Sequence, residues 1–316
     1  MMDKQGRTIE YLRISVTQKC DLNCIYCRPD LGETPWCDSL SAEDFTKIVK
    51  SMAQLGIKKV RLTGGEPFLR KDICDIVSGI SSIEGIFDLS ATTNGLQLAV
   101  LAVPLKEAGL NRVNISLDSL NKKRFSYITG GGNLEDVLAG IDAAVRAGLN
   151  PVKINVVLIK GVNDGEIDDF IQMTKENPIE VRFIELMPIG GFGEKNRDKI
   201  VYNSDILRSH PQMQPILQTP PGPAILYRID GYSGKIGLIS PMSHQFCNCC
   251  NRIRLTCDGK LRPCLGDNGE VDLMKALREQ PEELDGLIAR TIFNKPEGHH
   301  FNREFHSEKG MSQIGG

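Results

Sequence analysis

The chain has 316 residues, 41% of them hydrophobic and 25% charged, enough to bury a large core and typical of a globular protein. Its 38 basic and 40 acidic residues leave a net charge of −2, so no global field recruits nucleic acid or an anionic membrane. No apolar run approaches the roughly 18 residues that span a bilayer, and the polar segment 1–10 lacks a signal peptide's apolar core, so a cytoplasmic location is expected.

In chain order, residues 11–17 read as a strand. The run Cys20-Asp-Leu-Asn-Cys24-Ile-Tyr-Cys27 follows it with C-x3-C-x2-C spacing. Three thiolates on one loop make an incomplete ligand set, because a closed zinc or iron–sulfur site normally takes four protein ligands. The spacing therefore suggests a cluster with one metal corner open; a zinc site completed by a distant fourth ligand is the alternative. Ten cysteines in a cytosolic chain read as metal ligands rather than disulfides. Cys37 and Cys74 stand apart from the two groups and read as ordinary thiols.

Ser41, with Asp44 as a capping-box partner, opens a helix striped by Phe45, Ile48, Val49, Met52 and Leu55. Gly56 ends it before a strand at 59–63. Further strands are expected at 88–93, 112–117, 152–158 and 180–186. The tetrapeptide Ala-Gly-Leu-Asn, at 108–111 and 147–150, twice closes a helix and leads into a strand. Strands alternating with helices argue for parallel βα units. Six units are too few for a closed eight-fold barrel of about 250 residues. The expected fold is α/β, an incomplete (β/α)6 TIM-like barrel, with a doubly wound open sheet as the alternative.

Within these strands Val60 and Leu62 alternate with Arg61 and Thr63, and Val113, Ile115 and Leu117 with Asn114, Ser116 and Asp118. Val152, Ile154 and Val156 alternate with Lys153 and Asn155. Period-two alternation gives each set its own sheet face. Helices cover the apolar face, so the polar face turns inward and implies a wet lumen for a charged ligand; a half-exposed sheet is the bland alternative. Strand ends carry Gly64-Gly65-Glu66-Pro67, Thr92-Thr93-Asn94-Gly95 and Ser116-Leu117-Asp118-Ser119. The paired glycines are expected to let the backbone approach a ligand closely.

After Glu194 the pattern changes, and prolines cluster from Pro211 to Pro223. Hairpins are expected at 226–239 and at 252–261, the second turning at Asp258-Gly259. Helices are expected at 271–278 and 282–293. The expected organisation is a partial barrel over 1–195, then a cysteine-rich hairpin and helical extension over 196–316. Its core motif is Phe246-Cys247-Asn248-Cys249-Cys250 with Cys257 and Cys264, a C-x2-C-x13-C set if Cys247, Cys250 and Cys264 act together. A zinc ribbon using four of these cysteines is the alternative. Arg252 and Arg254, one residue apart on a strand, point the same way and suit phosphate or purine contacts.

The first cysteine run, Tyr26 and the Gly-Gly-Glu-Pro motif resemble the radical S-adenosylmethionine enzymes. With the second cysteine set, Asn251-Arg252-Ile253-Arg254, Arg182-Phe-Ile-Glu-Leu-Met187 and the Gly315-Gly316 terminus, the chain resembles the molybdenum-cofactor biosynthesis protein A family, whose members are GTP 3′,8-cyclases. The resemblance covers nearly the whole chain. It implies a [4Fe–4S] cluster on Cys20, Cys24 and Cys27 that binds S-adenosylmethionine, with Tyr26, Gly65, Ser116 and Met187 as cofactor contacts. It implies GTP contacts from Arg13, Arg61, Thr92, Lys153 and Arg182, and a lining of Arg252, Ile253 and Arg254. A second [4Fe–4S] cluster on Cys247, Cys250 and Cys264 would meet the guanine. Gly315 and Gly316 would enter the barrel and take part in starting the chemistry. An external one-electron reductant and the next pathway enzyme are the implied partners, with neither nucleic acid nor membrane, and a homodimer is admitted.

Cys249 and Cys257 depart from the family pattern and read as small buried residues. His299, His300 and His306 read as tail residues rather than a metal site. Two rivals remain: another two-cluster radical enzyme, and a non-catalytic zinc module, against which the acidic net charge speaks.

Overall fold

A computed structural model describes residues 1–27, 39–217, 222–299, 301 and 306–315. Expectations placed on Cys37, His300 and Gly316 lie outside the described residues. Strands and helices alternate through β1 (Tyr11–Ser15), α1 (Ala42–Gln54), β2 (Lys59–Thr63), α2 (Ile73–Ser81), β3 (Asp88–Thr93), α3 (Leu98–Glu107) and β4 (Arg112–Ser116). Two helices, α4 (Lys122–Thr129) and α5 (Leu134–Arg146), lead to β5 (Lys153–Leu158), α6 (Ile167–Glu176) and β6 (Glu180–Glu185). Then come α7 (Gly190–Lys195), α8 (Asn203–Ser209), β7 (Gln214–Ile216), β8 (Ala224–Arg228), β9 (Lys235–Ile239), β10 (Arg252–Leu255), β11 (Lys260–Arg262) and β12 (Val271–Asp272). Helices α9 (Met274–Glu279), α10 (Leu284–Phe293) and α11 (Met311–Ile314) follow.

Local chemistry sets several of these boundaries. Ser41 Oγ accepts the Asp44 N–H at 3.2 Å while the Asp44 carboxylate accepts the Ser41 N–H at 3.0 Å, a capping box that starts α1. Phe45, Ile48, Val49 and Met52 then bury one face of that helix. The Asn121 side chain accepts the N–H groups of Lys123 and Arg124, both at 3.1 Å, and starts α4.

One sheet runs in the order β12-β11-β10-β1-β2-β3-β4-β5-β6-β9-β8-β7. From β10 to β9 every pairing is parallel. The six expected βα units are thus flanked by one parallel strand from each C-terminal hairpin. The sheet ends at β12 and β7 rather than closing on itself, so the barrel is incomplete. Pairing of β6 with β9 and of β1 with β10 carries the sheet across position 195. Both hairpins form as expected. Val271, expected to open a helix, instead pairs with Leu261 as part of β12, and α9 begins only at Met274.

Val60, Leu62, Val113, Ile115, Ile154 and Val156 are fully buried in the apolar core. Burial of such side chains is worth about 1.5–3 kcal/mol each. A one-residue slip would exchange them for polar or charged neighbours, so this pattern fixes the register. The opposite face is enclosed rather than half-exposed: Arg61, Ser90 and Asn114 are all buried. A second, small apolar cluster joins Ile189 and Phe301 to Met187, Met242, Leu265 and Met311. No helix among the described residues is long and apolar enough to cross a membrane.

Candidate functional site

The first cysteine trio lies just beyond the carboxyl end of β1, where barrel folds build their sites. Its loop is tied to three neighbouring strand ends. Thr17 O accepts the Gly65 N–H at 2.8 Å, and Lys19 O accepts the Glu66 N–H at 2.7 Å. Asn94 Nδ2 donates to Asp21 at 2.6 Å, and Tyr26 OH donates to Asp118 Oδ2 at 2.6 Å. A Cβ on Gly65 would collide with the carbonyl oxygens of Gln18 and Lys19. The paired glycines therefore seat the cysteine loop, a closer backbone approach than the ligand contact expected of them. Gly65→Ala should cost about 1–3 kcal/mol, as overpacking does. A melting temperature lower by several degrees is the expected readout, and an unchanged one would show that the loop gives way freely.

Buried carboxylates brace this end of the barrel. Glu66 accepts from Phe68 N–H at 3.0 Å, Thr93 Oγ1 at 2.8 Å and Asn94 N–H at 2.6 Å, which joins the β2 and β3 loops. Burial pushes its acid up to about 7 against those hydrogen bonds. Asp118 also accepts the Val157 N–H at 2.8 Å, and burial lifts it to about 6. Glu185 accepts the N–H groups of Asn203, Met242 and Ser243 at 3.0–3.1 Å.

Burial pushes the Cys24 thiol well up, and Cys27, Asp118 and Cys20 add to the effect. Three thiols this close and this enclosed hold negative charge only beside a cation, which is what a metal cluster supplies. Among the described residues no His, Cys, Asp and Glu trio converges as a single-ion site would. A cubane takes three thiolates on three iron corners, and three cysteines on one loop are the donor set it needs.

The second trio lies at the amino end of β10 and just past β11, and hence at the opposite end of the barrel. Cys250 N–H donates to Cys247 O at 3.1 Å. Burial works to raise the Cys250 thiol, but Arg252 and Lys295 overcome it and bring the thiol to about 7. Burial raises Cys264, with Cys250 and Cys247 contributing. Cys264 thus feels both Cys247 and Cys250, and three cysteines are again the donor set a cluster would need. Cys257 is buried as expected. Cys249 is exposed, with its Sγ donating to Phe246 O at 3.4 Å, and so is not the buried residue its setting suggested. His299 stacks on Phe301 with ring centroids 4.3 Å apart, and His306 meets Glu194 at 3.0 Å.

Between the trios the inward face is laid out in rungs. Arg254, Arg13, Arg61, Ser90 and Arg112 are register partners across β10, β1, β2, β3 and β4. Thr92, Asn114, Lys153, Glu180 and Lys235 form the next rung across β3, β4, β5, β6 and β9. Ser116, Asn155 and Arg182 form a third. Arg112 pairs with Asp88 at 2.8 Å, and Glu180 answers both Lys153 at 3.3 Å and Arg182. Arg13, Arg61 and Arg254 form no ion pair among the described residues, although Arg61 lies 5.5 Å from the Tyr11 ring centroid.

This crowding has an electrostatic signature. Burial, then Arg254 and Arg61, hold the Arg13 guanidinium well below its ordinary value. Burial brings Arg61 and Arg254 each down to about 10, and Lys153 to about 8, with Arg182 as the next cause for Lys153. Arg13 Nε, Thr92 Oγ1, Asn114 Nδ2 and Asn155 Oδ1 are buried with no hydrogen-bond partner among the described residues. A lumen of unanswered cations and unpaired polar atoms is arranged for a polyanion with several hydrogen-bonding groups.

Of the residues singled out in the sequence, Arg13, Arg61, Thr92, Lys153, Arg182, Arg252 and Arg254 share this inward parity. Ile253 does not: its side chain is fully buried in the apolar core, so only its backbone can reach a ligand. Arg112, Asn114, Asn155 and Glu180 belong to the lumen and were not singled out, though the period-two alternation carries them all. Met187 lies beyond β6 in the small apolar cluster. Gly315 reaches the lumen between β1, β2 and β10: its carbonyl accepts from Arg254, and its Cα faces Thr63 and Ser15.

Comparison with known proteins gives two family matches: the radical SAM superfamily over residues 14–174 and molybdenum cofactor synthesis C over residues 179–301. A protein of Alkaliphilus oremlandii named GTP 3′,8-cyclase is 48% identical over all of both chains. Proteins of the same name are 45% identical in Clostridium botulinum, strain Langeland, and in Desulforamulus reducens, again over all of both chains. Among solved structures, anSMEcpe with bound AdoMet superposes with a TM-score of 0.60 at 15% identity, over 92% of this chain and 82% of that one. SuiB of Streptococcus suis bound to S-adenosylmethionine gives 0.57 at 17% identity, over 89% and 68%. These two likenesses concern the fold.

Proposed function

The chain belongs to the GTP 3′,8-cyclase family of radical S-adenosylmethionine enzymes, and from that premise we propose how its residues divide the work. It is a lyase that cyclises GTP to 3′,8-cyclo-7,8-dihydro-GTP in molybdenum cofactor biosynthesis. Cys20, Cys24 and Cys27 would hold a [4Fe–4S] cluster, and with S-adenosylmethionine and one electron that group would supply a 5′-deoxyadenosyl radical. Tyr26, fixed by Asp118, borders that cofactor with Gly65, Ser116 and Met187. Gly65 gives its N–H to Thr17, so its carbonyl is what it offers a ligand.

Arg13, Arg61, Thr92, Lys153 and Arg182 receive the GTP, with Arg112, Asn114 and Asn155 added to the set. The triphosphate answers these cations, and its negative charge beside Lys153 opposes the lowering of that ammonium group by burial and Arg182. Arg252 and Arg254 turn the guanine toward Cys247, Cys250 and Cys264, which would hold a second [4Fe–4S] cluster. GTP then spans the two trios, with ribose C3′ toward the first end and the base toward the second. Restraint of both ends brings C3′ close to guanine C8 and supplies the orientation that ring closure needs. Gly315 completes the lumen wall beside Arg254 and, with Gly316, takes part in starting the chemistry, while the apolar cluster around Phe301 keeps water out. An external reductant would supply two electrons per turnover, one to cleave S-adenosylmethionine and one that, with a proton, quenches the nucleotide radical left when C3′ joins C8, and the product passes to the next pathway enzyme.

The observation that carries this reading is the set of cationic rungs lying between two open cysteine trios. GTP deuterated at C3′, incubated anaerobically with S-adenosylmethionine and a reductant, should transfer its label to 5′-deoxyadenosine. It should yield an isomer of GTP separable by chromatography. Formation of unlabelled 5′-deoxyadenosine beside unchanged GTP would reject the assignment.

A further inference from the structure

The second cysteine trio is gripped from outside the lumen by the first residues of the chain. Residues 1–9 fold as a small arm in which Met2 bridges Thr8 and Asp3 Oδ1 accepts the N–H groups of Gln5 at 3.0 Å and Arg7 at 2.9 Å. Met1 anchors the arm through its ammonium group, which donates to Leu55 O at 2.9 Å. Lys4 N–H donates to Phe293 O, at the end of α10, at 3.0 Å.

Arg7 is the hub of this arm and only 8% exposed. Its Nε donates to Asp3 Oδ2 at 2.6 Å, and Nη2 to Pro296 O at 2.6 Å. Nη1 donates to Glu297 O at 2.7 Å and to Cys247 O at 3.0 Å. The planar fork thus ties the arm, the 296–297 turn and the first cysteine of the trio together. A Cβ on Gly298 would lie 3.5 Å from Cys247 Sγ, so this turn packs directly on the thiol. On the other side Lys295, buried just past the end of α10, donates from Nζ to Pro263 O, next to Cys264. Two buried cations therefore hold the main chain at Cys247 and beside Cys264, the two ends of the C-x2-C-x13-C span. Asp3 balances Arg7, whereas Lys295 meets no carboxylate among the described residues, which leaves its charge for the thiolates.

We infer that Arg7, with Lys295 opposite it, is a positioning residue for the second cluster, holding Cys247 and the 296–298 turn so that all three thiolates reach one cubane. The inference rests on the two-cluster reading above. It assigns Arg7 no contact with GTP or S-adenosylmethionine. An arginine whose guanidinium makes four hydrogen bonds, three of them to carbonyls, has no equal among other side chains at this position. Its loss removes the donor that these three part-buried carbonyls share and leaves Cys247 free to swing.

The test compares wild type, Arg7→Gln and Arg7→Lys after anaerobic reconstitution. Wild type should bind about eight irons per chain and Arg7→Gln about four, the content of one cubane. The remaining cluster should keep its electron paramagnetic resonance signal with S-adenosylmethionine, while the signal perturbed by GTP disappears. Arg7→Lys keeps the charge but serves only part of the fork, and should fall between the two. Wild type at eight irons and Arg7→Gln also at eight, with unchanged spectra, overturns the role of Arg7 and leaves the two clusters standing. Loss of both clusters in Arg7→Gln overturns it as well, since the effect is then general. Wild type at four irons removes the two-cluster reading itself.

Discussion

Cys24→Ala is expected to remove about half of the bound iron, as loss of one of two equal cubanes requires, and to reduce S-adenosylmethionine cleavage to background. No other thiol can take its place. Cys20 and Cys27 are each committed to a corner of the same loop, and the loop is fixed on three sides through Gly65, Asn94 and Asp118. Cys264→Ala should cost the same half of the iron yet leave cleavage of S-adenosylmethionine running uncoupled from GTP. Its neighbours do not rescue it either: Cys257 is sealed in the core, and Cys249 faces solvent. Iron analysis and 5′-deoxyadenosine yield on the same samples separate the two variants. Full iron in Cys264→Ala would remove the second cluster from the account, and continued cleavage in Cys24→Ala would remove the first.

Most of the barrel is written in short-range pattern. The repeated Ala-Gly-Leu-Asn turns, the capping box at Ser41 and the alternation through Arg61, Asn114 and Lys153 mark elements, their order and the face that turns inward. The hairpin at Asp258-Gly259 is legible for the same reason, since its chemistry is local. Where each hairpin attaches is not local. β9 adds to β6 and β10 to β1 through backbone hydrogen bonds, which any sequence offers equally. Val271 shows the consequence, because pairing with Leu261 overrides its apparent place in a helix.

The site was legible where side chains carry it and obscure where main chain does. The thiols and arginines announce themselves. The Gly64-Gly65 pair reads as a ligand cradle, yet its close contact is with the carbonyls of the cysteine loop. Arg7 sits in a polar N-terminal stretch with no motif, and its partners are mostly carbonyl oxygens that no residue type advertises. Ile253 is the opposite case. The alternation that turns Arg252 and Arg254 inward already places it in the core.

Removal of Gly315 and Gly316 should leave iron content and melting temperature unchanged but bring turnover to background. Neither glycine supplies a metal ligand, and the apolar anchors of the tail, Ile314 and Met311, remain in place. What disappears is a piece of backbone inside the lumen. Gly315 N–H closes the last turn on Met311 O at 3.0 Å, and its carbonyl holds Arg254, one of the lumen cations that form no ion pair among the described residues. Without that carbonyl the guanidinium is free to settle elsewhere, and misplacement of about 1 Å can cost about a hundredfold in rate. Gly315→Ala is a milder form of the same lesion. The residue adopts φ +74°, and a Cβ would strike Thr63 Oγ1 and press on Ser15. The left-handed backbone alone costs an alanine about 1–2 kcal/mol, which is about a 5- to 30-fold shift away from the docked tail. Turnover per iron should fall by at least that factor, with GTP and S-adenosylmethionine both saturating. Normal turnover in the truncated chain would reduce the tail to a structural appendage, and Arg254 would then have to find its alignment from the substrate alone.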